Sequence, residues 1–242
     1  MHKKFLLPLA AISAFFPFLG AAQAAEELTP IAKVSDEWRF TVTPYLWAPG
    51  IKGTLNFADG LVKTADVSSS NVLGNLKTGG MMAGEAHYGN WGVMGDFVSA
   101  TLQKTGSIPL VVPTRKDGVV RASLANKVTL QQTILTGAVT YNMANTKDVN
   151  LDALLGARGI YATATLNLAL DGTRVNASDA KTTSTVDPIV GFKGRYRIAD
   201  STWYVPMYAD IGSGGGTTNL TWQAMLGVGK TFNQLVDVSL TY

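Results

Sequence analysis

Apolar and polar residues alternate along this chain in bursts of about ten, a period that suits a β-strand and not a helix. The clearest burst is a pair: Met81 to Tyr88 and Trp91 to Leu102 flank Gly89-Asn90, a two-residue hairpin turn. Pairing Tyr88 with Trp91 sets Met82, Gly84, Ala86, Tyr88, Trp91, Val93, Gly95 and Phe97 on one face. Ala83, Glu85, His87, Gly92, Met94 and Asp96 fall on the other. One face is apolar with aromatics beside the turn, and the other holds every charge.

Four more segments divide the same way. Leu155 and Tyr161 oppose Asp152 and Arg158. Val186, Val190, Phe192, Tyr196 and Ile198 oppose Asp187, Lys193, Arg195 and Arg197. Trp203, Val205, Met207 and Ile211 oppose Tyr204, Tyr208 and Asp210. Val236, Val238, Leu240 and Tyr242 oppose Asp237, Ser239 and Thr241. In Lys127 to Tyr141 the pattern is weaker, and a bulge is expected to shift its phase.

Two architectures bury such strands: a soluble sandwich with the apolar face inside, or a closed membrane barrel with that face on lipid and the charges in the lumen. The aromatics favour the barrel. Trp38, Tyr88, Trp91, Tyr141, Tyr196, Trp203 and Phe232 gather beside short connections, as an interfacial belt would. Short turns at 89–90, 142–149, 199–202 and 233–235 also alternate with longer polar stretches at 58–78, 103–126, 167–185 and 213–219, read as outward loops. The expected fold is all-β, an antiparallel up-and-down transmembrane β-barrel of about 8–10 strands.

The amino terminus adds an export signature. His2, Lys3 and Lys4 precede an apolar run from Phe5 to Leu19, and Ala22-Gln23-Ala24 offers a small-x-small cleavage site. Residues 1–24 are therefore expected to leave as a signal peptide, with 25–242 forming one barrel domain. Lys3 and Lys4 lie in that leader, so what remains of 20 basic and 17 acidic residues is nearly neutral. No basic face for nucleic acid emerges.

Chemistry-bearing groups are sparse. Cysteine is absent, which excludes thiolate catalysis and cysteine-zinc sites. Past the leader, His87 is the one histidine, so neither a zinc centre nor a catalytic dyad with a nucleophile is expected. No metal or other cofactor is implied. The notable feature is a set of charges predicted to face the lumen: Glu85, His87, Asp96, Asp152, Arg158, Asp187, Lys193, Arg195 and Asp210. Buried charges must be paired or solvated, so this network reads as a salt-bridged plug or as the lining of a narrow conduit.

Thr43-Pro44-Tyr45-Leu46-Trp47-Ala48-Pro49-Gly50-Ile51-Lys52-Gly53 is followed along the chain by Leu155-Gly156-Ala157-Arg158, Val186-Asp187-Pro188-Ile189-Val190-Gly191, Asp210-Ile211-Gly212 and Thr221-Trp222-Gln223. In this order the motifs resemble those of a family of proteobacterial outer-membrane β-barrel proteins of largely undefined role. The resemblance implies a ten-strand design. With Trp38 to Phe57 taken as one long kinked strand this chain supplies nine, so the final strand is expected to be missing. The expectation is a non-enzymatic protein of the Gram-negative outer membrane, structural or surface-interacting, porin-like at most as a weak passive pore for small solutes. The alternatives are a lipid-modifying enzyme of the outer membrane and a surface adhesin. Outer-membrane lipid and the barrel assembly machinery are the expected partners and a monomer the expected state; the sequence names no solute or extracellular ligand.

Overall fold

A computed structural model describes residues 11–18, 28–47, 51–56, 62–67, 72, 74–114, 118–170, 176–213 and 220–242. The fold is all-β. Nine antiparallel up-and-down strands follow one another around a curled sheet: β2 (Arg39–Trp47), β5 (Leu76–Tyr88), β6 (Trp91–Thr114), β7 (Gly118–Asn145), β8 (Val149–Leu170), β9 (Asn176–Arg197), β10 (Trp203–Gly212), β11 (Thr221–Asn233) and β12 (Val236–Thr241). The remaining gap is filled by β1 (Ala11–Phe18), which pairs antiparallel with β12 on one side and β2 on the other and so closes the barrel. β3 (Ile51–Asn56) and β4 (Val62–Val67) form a separate two-stranded sheet.

The alternation places the side chains as expected. Tyr88 pairs with Trp91 across the Gly89-Asn90 turn, and Gly89 takes the left-handed φ of 55° that this tight connection requires. Met82, Phe97, Leu155, Val186, Val190, Phe192, Ile211 and Leu240 all point outward and are exposed. Asp152, Arg158, Asp187, Arg197, Asp210 and Asp237 point inward and are buried. The seven aromatics at the short turns are exposed on the outer face. Neighbours among them touch: Trp91 meets Tyr141 edge-on with centroids 4.9 Å apart, and Trp38 lies 5.5 Å from Tyr88.

Three expectations about the elements are corrected. The first concerns the loops. Residues 103–126 and 167–185 are largely strand, because β6, β7, β8 and β9 run for 24, 28, 22 and 22 residues. Their Ser, Thr and Gly content reads as loop, yet alternation persists through it and the ladder continues. The second concerns the opening strand. β2 ends at Trp47, so Trp38 to Phe57 is not one barrel strand, and the stretch 58–78 contains β4 and the start of β5. The third concerns the bulge. β6 and β7 pair in unbroken register from Trp91↔Tyr141 to Thr114↔Gly118, and the irregularity sits instead at Asn142/Ala144 on the β8 side. Residues 1–10 and 19–24 of the expected leader, and 58–61, 68–71, 73, 115–117, 171–175 and 214–219 of the expected loops, lie outside the described residues.

The long strands change character along their length. Within the barrel the outward rows Val93–Val139–Leu155–Val190 and Phe97–Leu135–Gly159–Val186 carry no polar side chain. One row further out, Ser99–Thr133–Tyr161–Ser184 begins a polar outer surface that continues as Thr101–Gln131–Thr163–Thr182. The inner face reverses in the opposite sense. The charged row Asp96–Thr136–Arg158–Asp187 gives way to Val98–Ile134–Ile160–Thr185 and then Leu102–Leu130–Ala164–Lys181. β10 ends opposite Ile189 and β11 begins opposite Gly212, so beyond this level the wall consists mainly of β6 to β9.

Candidate functional site

The inward charges form clusters stacked along the barrel interior. Nearest its centre, Arg158 on β8 reaches over β9 to Asp210 on β10. Its two terminal nitrogens engage the two carboxylate oxygens, with Nη1 donating to Oδ1 at 3.0 Å and Nη2 paired with Oδ2. The pair is almost wholly removed from solvent, and Arg158 Nε also donates to Thr136 Oγ1 at 3.4 Å. A planar guanidinium suits such a fork because two parallel charge-assisted bonds fix its orientation. Asp96, two strands away in the same row, accepts the Tyr45 hydroxyl, 2.8 Å from Oδ2. Asp187 is fully buried. Its Oδ1 accepts the Thr185 hydroxyl at 2.8 Å, while Oδ2 has no hydrogen-bond partner among the described residues.

A second cluster lies toward the short turns. Lys193 pairs with Glu85, and His87 Nε2 stands 3.0 Å from the same Glu85 oxygen. His87 and Thr140 both crowd onto Gly92, where a Cβ would come within 2.5 Å of His87 Nδ1 and of Thr140 Oγ1, so any larger residue would displace one of these side chains. Asp152 accepts Asn142 Nδ2 at 2.7 Å. Arg195 donates to Asp237 Oδ2 at 2.7 Å and lies over the Tyr204 ring, 4.6 Å from its centroid.

The segment before β2 closes the short-turn end. Pro30 and Ile31 are buried, and the Pro30 carbonyl accepts Arg195 Nη1 at 3.1 Å. The Ala32 carbonyl accepts Asn145 Nδ2 at 2.9 Å, and the Ser35 carbonyl accepts the Gly89 backbone N–H at 2.9 Å. An inward arginine, a strand-end asparagine and a turn amide thus tie residues 30–35 across the barrel end.

Of the nine charges predicted to face the lumen, Asp152, Arg158, Asp187 and Asp210 are buried and Glu85, His87, Asp96, Lys193 and Arg195 are half-buried. Glu85, His87 and Lys193 come together, as do Arg158 and Asp210, while Asp96, Asp152, Asp187 and Arg195 each have a separate setting. Lys193 stands opposite Tyr208, diagonal to Asp210, yet it pairs with Glu85 across the barrel. Sequence reasoning passed over Tyr45, Asn142, Asp237 and the Pro30–Ile31 segment. Strand alternation placed Asp237 on the inner face, but nothing local announced that a stretch before the first barrel strand folds across the barrel end. The chemistry on offer is electrostatic. Among the described residues no hydroxyl is hydrogen-bonded to His87, and no group of three acidic or imidazole ligands could hold a metal ion. The chain matches no family model and no curated protein.

Proposed function

We propose that this chain is an outer-membrane β-barrel protein without enzymatic activity, exported behind residues 1–24 and kin to the barrel proteins whose motifs it resembles. Its role is structural or surface-interacting. One observation carries the reading: on β2 and β5 to β12 an outward belt of apolar side chains, bounded by aromatics, backs an interior that holds the charges. On β11 the outward residues run from Trp222 through Leu226 and Val228 to Phe232. Ten residues separate the two rings, which matches the roughly 9–11 residues of a tilted strand in hydrocarbon. Lys230, the outward charge on this strand, sits 5.3 Å from the Trp203 and Phe232 ring centroids, where its ammonium can reach the headgroup level. A soluble protein would leave this belt as an unusually large exposed apolar patch.

The interior favours a plugged barrel over an open conduit, because paired side chains fill the middle and residues 30–35 cross one end. The tall β6–β7 and β8–β9 hairpins, polar on their outer face beyond the belt, supply the surface-interacting element. The lipid-modifying alternative needs His87 in a hydroxyl–carboxylate relay at the outward end; it lies instead beside the Gly89-Asn90 turn, held to Glu85. Two measurements test the proposal. The exported chain, residues 25–242, should fractionate with the outer membrane and stay monodisperse only in detergent or lipid; a folded, detergent-free soluble monomer refutes the membrane reading. In planar bilayers it should conduct weakly, and deletion of residues 28–34 should raise the conductance. A large conductance in the intact protein refutes the plugged interior.

A further inference from the structure

Residues 28–38 belong to no strand, yet their backbone is gripped at three points around the short-turn rim. On β9, Arg195 Nη1 donates to the Pro30 carbonyl at 3.1 Å. At the end of β7 the Asn145 amide takes hold on both sides of Lys33. Its Nδ2 donates to the Ala32 carbonyl at 2.9 Å, and its Oδ1 accepts the Val34 N–H at 3.5 Å. In the turn before β6, the Gly89 N–H donates to the Ser35 carbonyl at 2.9 Å. A side-chain amide carries donor and acceptor together, so it can read an extended backbone whatever side chains that backbone bears. The apolar anchor is small: Pro30 and Ile31 are buried, while Ala32 and Lys33 beside them are exposed.

The wall does not depend on these ties. Without the strap, Arg195 still donates to Asp237 Oδ2 at 2.7 Å and lies over the Tyr204 ring. Its charge is therefore not left uncompensated. Asn145 and Gly89 are half-buried at the rim, so water can take the place of the strap at both. Undocking thus frees two apolar side chains and a few bonds, whereas opening the wall breaks whole ladders and the Arg158–Asp210 pair. A segment with so few buried contacts opens locally at a free energy well below that of global unfolding.

We propose that residues 28–37 are a detachable strap that gates the short-turn end of the barrel. The strap undocks as a unit and swings about Trp38 while the wall stays folded, so the end alternates between closed and open. This rests on the export and plugged-barrel readings above, under which the strap is a terminal arm joined to the wall only at its β2 end. It adds that the closure is reversible and is held by a site that recognises an extended backbone.

Cysteine is absent from the chain, so a single introduced cysteine reports on its own position. The exported chain is placed in phosphatidylcholine vesicles and treated with a maleimide, and folded barrels are selected by their migration on unheated gels. Ile31→Cys should label faster than the wall variant Ile189→Cys by roughly tenfold or more, because only the strap opens locally. Asn145→Leu should speed labelling at position 31 further and leave position 189 unchanged. In planar bilayers, a chain lacking residues 28–34 should conduct more than the parent, and a synthetic peptide of residues 28–34 should return it to the parent level. The same peptide with Ile31→Asp should not. Equal protection of the two cysteines in folded barrels overturns the gate and leaves the plugged reading intact. A deletion variant that conducts like the parent does the same, because the paired interior then closes the barrel by itself. Failure of the peptide to close the deletion variant, or equal closure by its Ile31→Asp form, overturns the docking site. A large conductance in the intact chain overturns the plugged reading and the gate with it.

Discussion

Arg158 and Asp210 meet as a bidentate pair across an intervening strand, with the carboxylate completely shielded from solvent and the guanidinium nearly so. Taking both ions out of water is costly, and their mutual fork is what offsets it. Asp210→Ala leaves Arg158 charged and unpaired in the interior and is expected to destabilise the fold by about 3–5 kcal/mol. The double variant Arg158→Met with Asp210→Leu should recover most of that loss. Urea unfolding in lipid vesicles, followed by tryptophan fluorescence, measures both. A single variant as stable as the parent would mean that the interior is wet enough to solvate the arginine.

The outward face of β7 passes from apolar to polar between Leu135 and Gln131. Val139→Arg places a charge within the belt and should cost about 2–4 kcal/mol in a bilayer. Gln131→Arg lies eight residues further along the same face, beyond the belt, and should be tolerated. Equal costs in vesicles would show that the level inferred for the membrane edge is wrong.

Two of the short turns are joined by an exposed ion pair, Lys147 Nζ to Asp200 Oδ1 at 3.0 Å. The hydrogen bond from Lys147 is the main cause holding Asp200 below the ordinary carboxylate range, and the same bond holds Lys147 above the ordinary lysine range. The Asp200 contribution is complete above the unfolded carboxylate pKa and fades as acid titrates the folded group. The Lys147 contribution is complete below the unfolded lysine pKa and fades as alkali does the same. In Asp200→Asn the Lys147 amine should therefore titrate closer to its ordinary value by NMR, with little change in stability because exposed pairs contribute little. An unmoved Lys147 titration would show that the pair does not persist in solution.

Ala11–Phe18 closes the barrel, yet the same residues belong to the expected signal peptide, and they cannot both leave and close it. β2 and β12 are each antiparallel to β1 and therefore parallel to one another, so the edges exposed by its removal could join directly only through a parallel ladder. Refolded chain 25–242 should unfold at a lower temperature than the full chain on heated gels, and a synthetic peptide of residues 11–18 should restore part of the difference. Identical melting of the two chains would show that this strand does not hold the seam.

The sequence alone determined the face of side chains in the segments where alternation is clear, because successive residues on a strand point to opposite sides, and in the first hairpin the turn at Gly89-Asn90 sets the phase. That is why Glu85, Asp96, Asp152 and Arg158 could be placed inside and Phe97, Leu155 and Phe192 outside from alternation alone. It did not determine strand length, since Ser- and Thr-rich stretches such as 176–185 read as loop when polarity is taken for irregularity. Nor did it determine partners. Glu85 and Lys193 are more than a hundred residues apart, and Arg158 passes over the strand bearing Asp187 to reach Asp210, so curvature of the sheet selects the pairs. Pro30 and Ile31 show the same limit. They belong to no strand and carry no period, and only the closed wall makes a barrel end across which Arg195 and Asn145 can hold them.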